Sequence, residues 1–147
     1  MYEKLNTVRI GTKKLPIKCD FNVLQVVQEE FGTLKQFEQK LIGMNPVLDK
    51  NGDPVYEIKN GVESVKFTTT EPNLHAIAVA LPLMINEGRI QAEAQGETPI
   101  DFDYKTAIAE ADFSIVEVAV DLHSEYRRCF DRKKLKASKR TATKTAQ

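Results

Sequence analysis

Residues 20–43, DFNVLQVVQEEFGTLKQFEQKLIG, read as two short helices in tandem, and the rest of the chain is placed around them. Asn22 is expected as the first cap, its side chain accepting from a free N–H of the first turn. Gln25 reaches back from three residues on, and Phe21 and Val26 stand at the spacing of a hydrophobic staple. Val23, Leu24, Val27 and Phe31 recur on one helical stripe, while Gln25, Gln28 and Glu29 face outward. Gly32 takes the place of a left-handed cap. Thr33 and Gln36 have capping-box spacing for the second helix. Leu34, Phe37 and Leu41 line its inner face, and Gly43 ends it.

Before this pair, residues 1–19 read as a β-hairpin. Val8 and Ile10 alternate with Thr7 and Arg9, and Leu15, Ile17 and Cys19 alternate with Pro16 and Lys18. Residues 11–14 make the turn. Pro16 has no N–H to donate, which places its strand at an edge. Leu15, Ile17 and Cys19 must face the helices, because a one-residue slip would expose all three.

After the pair, residues 45–69 form a short β excursion. Asn51-Gly52 and Asn60-Gly61 each sit between β-prone runs, the pattern of tight hairpin turns, and together they predict a meander of two or three strands. A helix follows, opened by Thr70 or Glu71 with Pro72 in its first turn. Leu74, Ile77, Ala78, Leu81, Met84 and Ile85 keep helical spacing up to Gly88, the expected C-cap. Pro82 deletes the bond to the Ala78 carbonyl, so a kink or break is expected there. Residues 89–100 read as a linker. Asp101 or Asp103 then caps a segment with Tyr104, Ala107, Ile108 and Ala111 inward. The stripe resumes at Ile115, Val118, Ala119, Leu122, Tyr126, Cys129 and Phe130, with an end near Lys134.

The 147 residues suit one α+β domain, mostly helical, with four to five helices over residues 1–130. Residues 131–147 form a basic tail, the end of the last helix and then a disordered run without large apolar periodicity. The tail carries seven Lys and Arg against Asp131, leaving 14 basic and 20 acidic residues in the body, so a net charge of zero hides a basic arm on an acidic body. No apolar run approaches the roughly 18 residues of a membrane span, and no signal peptide opens the chain. Cys19 and Cys129 stand far apart; a disulfide is open, but reduced buried thiols are favoured in a chain that looks cytosolic.

Catalytic chemistry finds little support. His75 and His123 each stand alone, without a second ligand at helical spacing. Adjacent Glu29 and Glu30 diverge on a helix and make no carboxylate pair. In the run from Asp49 to Asp53 the glycine comes too early for a calcium loop, so a hairpin turn is preferred. Gly11-Thr12-Lys13 has no preceding glycine at phosphate-loop spacing. A non-enzyme without cofactor or metal is expected.

Two features rise above background. Leu81, Leu83, Met84 and Ile85 make a segment apolar on every side, either wholly buried or a patch that receives a partner. Arg132, Lys133, Lys134, Lys136, Lys139 and Arg140 form a basic arm that can dock on an acidic surface. Phosphate neutralisation is the other use of such an arm, but it has no aromatic residue to stack on bases and the acidic body would repel nucleic acid.

The order of segments resembles the tail assembly chaperones of long-tailed bacteriophages and prophages. A hairpin ends in LPIKCDFNVLQVVQEEFG; then come TLKQFEQKLIG, a turn-rich excursion, a helix containing LMINEG and a final long helix. The likeness covers roughly residues 8–122, and the 45–69 excursion is longer than the family leads one to expect. The resemblance implies a protein of the bacterial host cytoplasm that binds the tape measure protein, keeps its long apolar helices soluble and helps recruit tail tube subunits. It also implies self-association, and a longer frameshifted product. A structural virion component, such as a tail or head-completion protein, is the alternative, followed by a small nucleic-acid-binding regulator.

Overall fold

The computed structural model describes residues 4–98 and 114–145, with side chains to Asp131. The architecture is α+β. An N-terminal hairpin, β1 (Asn6–Ile10) and β2 (Lys13–Ile17), leads into α1 (Phe21–Phe31) and α2 (Leu34–Ile42). A β-arm follows, built of β3 (Met44–Pro46), β4 (Tyr56–Lys59), β5 (Val62–Val65) and β6 (Phe67–Thr69). Two long helices complete the chain, α3 (Leu74–Ala94) and α4 (Ile115–Thr145). The expected segment around residues 101–111 lies outside the described residues. No helix among the described residues is long and apolar enough to cross a membrane.

The hairpin has the expected register. Val8 pairs with Leu15 and Thr7 with Pro16. Val8, Ile10, Leu15, Ile17 and Cys19 are buried. The turn is tighter than the sequence suggests, since Lys13 and Lys14 already belong to β2. β2 packs on α3 and β1 on α4. The outer edge of β2 is covered by a helix rather than by a third strand: the N–H of Lys18 donates to the Met84 carbonyl at 3.0 Å.

α1 and α2 carry the expected buried stripe of Val23, Leu24, Val27, Phe31, Phe37 and Leu41. The first cap is displaced. Asp20, not Asn22, accepts from the Val23 N–H at 3.2 Å, and Phe21 is already helical. Phe21 and Val26 are both exposed, so no staple forms. Asp20 wins because the preceding residue is itself anchored, the Cys19 N–H being held by Glu125. Thr33 makes half of its capping box. Its hydroxyl oxygen accepts from the Gln36 N–H at 3.0 Å, while the Gln36 side chain meets the hydroxyl and not the backbone.

α3 departs furthest from expectation. Its cap is Asn73, which accepts from Ala76 at 3.0 Å. Pro82 lies inside the helix without ending it. The bond that proline deletes would have ended on the carbonyl of Ala78, an exposed residue where water can take the donor's place. Burial of Ala76, Ile77, Ala80, Leu81 and Met84 on either side holds the helix together. Gly88 is not its end. Residues 89–94, expected as linker, are helical, and the helix closes in a Schellman turn: Gly96 N–H to Glu93 O and Glu97 N–H to Ala92 O, both at 3.0 Å.

The β-arm is more closed than a meander. β4 and β5 form a hairpin around Asn60 and Gly61, both at positive φ as a type I′ turn requires. Leu48 bridges Pro54 around Asn51-Gly52. The chain then returns, so that β3 pairs with β6 and the arm is pinched at its root. The last helix has its own cap, Ser114, whose hydroxyl oxygen accepts from the Glu117 N–H. Its helical backbone is traced to Thr145, past the expected end near Lys134.

Candidate protein-docking site

Of the two uses weighed for the segment Leu81, Leu83, Met84 and Ile85, burial is the one found. Leu81 and Met84 are 2% and 0% exposed, and Leu83 and Ile85 pack half-buried against the same cluster. An all-round apolar helix is needed there because α3 is overlaid by β2 and also touches α1, α2 and α4. The basic residues Arg132, Lys133, Lys134, Lys136, Lys139 and Arg140 lie on the distal part of α4. Their side chains are outside the described residues.

A groove of about 520 Å³ lies elsewhere, between α4, the end of α2 and the connector from β6 to α3. One wall is Ile42 with Thr69 at the end of β6 and the connector residues Thr70, Glu71 and Pro72. That wall is fixed by hydrogen bonds: Thr70 N–H to Gly43 O at 2.7 Å and Asn73 N–H to Lys40 O at 2.9 Å. The Asn45 side-chain amide donates to the Thr70 hydroxyl at 2.9 Å. The other wall is a helical face of α4, comprising Val116, Ala119, Val120, His123 and Ser124. Ala119 is buried and small, which leaves the floor open, while Val116 and Val120 are 60% and 57% exposed.

One end of the groove is polar. His123 Nε2 donates to Glu38 Oε2 at 2.8 Å, joining α4 to α2. Arg127 stands 3.8 Å from the same carboxylate, and His123 stacks on Tyr126. His123, which stands alone in the sequence, is a helix-packing histidine, as its isolation there leads one to expect. His75 likewise meets Glu30 at 2.7 Å and joins α3 to α1. No group of three or more His, Cys, Asp or Glu among the described residues is arranged to hold a metal. The groove offers shape, apolar surface and hydrogen-bonding ends.

α4 is set in place by Glu125, a carboxylate with no exposed surface. It accepts from the Cys19 N–H at 2.6 Å, from the Asn6 amide at 2.9 Å and from Arg128 Nε at 2.6 Å. Arg128 Nη2 closes a bidentate pair. One side chain thus ties α4 to the start of β1 and to the junction of β2 with α1.

On the β-arm, Leu48, Tyr56, Ile58 and Val62 are all more than half exposed, Tyr56 and Ile58 on one face of the β4–β5 hairpin and Val62 on the other. Neither feature stood out in the sequence. Val116 and Val120 gave a signal, being apolar residues outside the inward stripe of α4, and the arm gave one in its alternating apolar pattern. Comparison of the chain with protein-family models, with curated proteins and with solved structures gives no match.

Proposed function

We propose that this chain is a non-enzymatic tail assembly chaperone of a long-tailed bacteriophage or prophage. It acts in the host cytoplasm, holding apolar helices of the tape measure protein and assisting tail tube assembly. The observation that carries the holding function is the groove beside Val116 and Val120, an apolar, preformed recess with a fixed wall and an exposed helical face. A client helix would lay its apolar stripe against these valines, in the helix-in-groove mode. The phage assignment rests on the order of segments from LPIKCDFNVLQVVQEEFG to LMINEG.

The test is co-expression with helical fragments of a tape measure protein. Soluble yield of the fragment should rise with this chain present. Val116→Lys with Val120→Lys should abolish the gain while leaving the chaperone folded, because both side chains are exposed. Failure of the native chain to bind or solubilise any such fragment overturns the assignment. Recovery of the protein from purified virions would instead identify a structural component.

A further inference from the structure

Two Asn-Gly pairs stand at turns of the β-arm, Asn51-Gly52 and Asn60-Gly61, and all four residues are exposed. Such a pair is chemically weak, because glycine has no side chain to shield its backbone nitrogen from the asparagine amide carbon. Each pair follows a lysine, Lys50 or Lys59, so the local sequence treats the two alike. Their hydrogen bonds do not. The Gly52 N–H donates to the Asp49 carbonyl at 3.0 Å. The Asp49 carboxylate accepts from the N–H groups of Asn51 at 2.8 Å and Asp53 at 3.0 Å. The Asp49 N–H donates to the Asp53 carbonyl at 2.8 Å, and Leu48 bridges Pro54 across the base of that turn. At the other turn, no hydrogen bond among the described residues holds the Gly61 N–H or the Asn60 side chain. Asn60 and Gly61 join β4 to β5, which form a sheet of two strands only. A two-stranded hairpin is marginal in water, so this tip opens readily.

We infer that Asn60 is a site of spontaneous deamidation, converted well before Asn51 although both precede glycine. Hydroxide takes the Gly61 N–H proton, and the nitrogen attacks Cγ of Asn60. A nitrogen–carbon bond forms, the bond from Cγ to its NH2 group breaks, and ammonia leaves with a proton from water. Water then adds to one of the two carbonyls of the cyclic imide and opens it, giving aspartate or isoaspartate. The sum is one water consumed and one ammonia released, with no oxidant or reductant. The attack requires the tip to leave its native turn, in which Asn60 stands at φ 52° and Gly61 at φ 77°. At Asn51 the same excursion must also break the bond that holds the Gly52 N–H and those that the Asp49 carboxylate accepts. Isoaspartate at position 60 puts an extra methylene into the backbone between Lys59 and Val62, which pair across the turn. A two-residue turn has no room for it, so the product loses the β4–β5 pairing.

The experiment incubates the purified full chain in mildly alkaline buffer at physiological temperature and follows it by peptide mapping in a mass spectrometer. Deamidation appears as a gain of about 1 Da in the peptide concerned. In the native chain the gain at Asn60 should be about tenfold faster than at Asn51, the factor that one or two additional hydrogen bonds supply. In guanidinium chloride, where neither turn survives, the two sites should convert at similar rates. Asn60→Gly keeps a residue that the same turn accepts and should abolish the early gain. The isoaspartate fraction should lose amide-exchange protection over residues 56–65. Equal rates in the native chain, faster conversion at Asn51, or an Asn60 that survives in the native chain while the denatured chain converts overturns the inference. These readouts are independent of client binding, so they stand apart from the chaperone assignment.

Discussion

Gly88 of α3 rests directly on the backbone of Pro16 in β2: a Cβ on Gly88 would stand 2.2 Å from the Pro16 carbonyl oxygen and 2.7 Å from the Ile17 Cα. The neighbouring turn of α3 supplies the Met84 carbonyl to the Lys18 N–H. Glycine is therefore what lets a helix serve as the neighbour of a strand edge. Gly88→Ala should push the hairpin off α3 and cost about 3 kcal/mol or more, since backbone cannot move aside as a side-chain tip would. Chemical denaturation measures it. Gly61→Ala, with nothing near its Cβ but a positive φ, should cost only about 1 kcal/mol.

Glu125→Ala should be as severe, at about 3–5 kcal/mol, because Arg128 and two other donors would lose their acceptor together. Glu125→Gln keeps the shape but not the charge, and should fall between. Equilibrium unfolding in urea ranks the three proteins, and an alanine variant as stable as the parent would refute the role given to this carboxylate.

Glu87 predicts a mild acid stabilisation. Its carboxyl is raised above 4.5, first by a hydrogen bond with Asp20 and then by burial and the Asp20 charge, with Asn22 and Lys18 opposing. A raised carboxyl favours the fold while protonated. Its contribution is complete below about 4.5 and is lost as pH rises through the raised value. Glu87→Gln should then raise Tm at neutral pH by about 1–2 °C and flatten the pH dependence across that window. Thermal melts in a pH series decide it.

Tyr126 sets the alkaline limit. Burial, helped by Glu38, raises its phenol from 10.0 to about 12, and its hydroxyl donates to the Leu34 carbonyl at 3.4 Å. The neutral phenol stabilises the fold fully below pH 10, and the contribution fades as pH climbs towards 12, by about 2–3 kcal/mol in all. In Tyr126→Phe this part of the alkaline loss should vanish. Ultraviolet titration of the phenols beside alkaline unfolding provides the check.

Where local rules and burial agree, sequence and fold coincide. The stripe Val23, Leu24, Val27 and Phe31, the caps Gly32 and Gly43, and the Asn60-Gly61 turn stand where periodicity and turn chemistry put them. Where a competing partner acts from far along the chain, they part. Asp20 caps α1 in place of Asn22 because Glu125 holds the residue before it. For Leu81 and Met84 the all-round apolar pattern favours core over client, and β2 and α1 do cover their helix. The groove combines residues from three separate segments, and its exposed valines stand out only against the wall that faces them.

The sequence by itself determined the N-terminal hairpin, the α1–α2 pair and the apolar stripes of the two long helices, because these follow from the 3.6- and 2-residue periods and from turn residues a few positions apart. Only the tertiary structure decided that Gly88 is a contact rather than a terminus, that Pro82 is tolerated, and that Glu125 on the last helix holds the Cys19 N–H. Those outcomes depend on atoms brought together from distant segments, where packing and hydrogen bonding outweigh local preference.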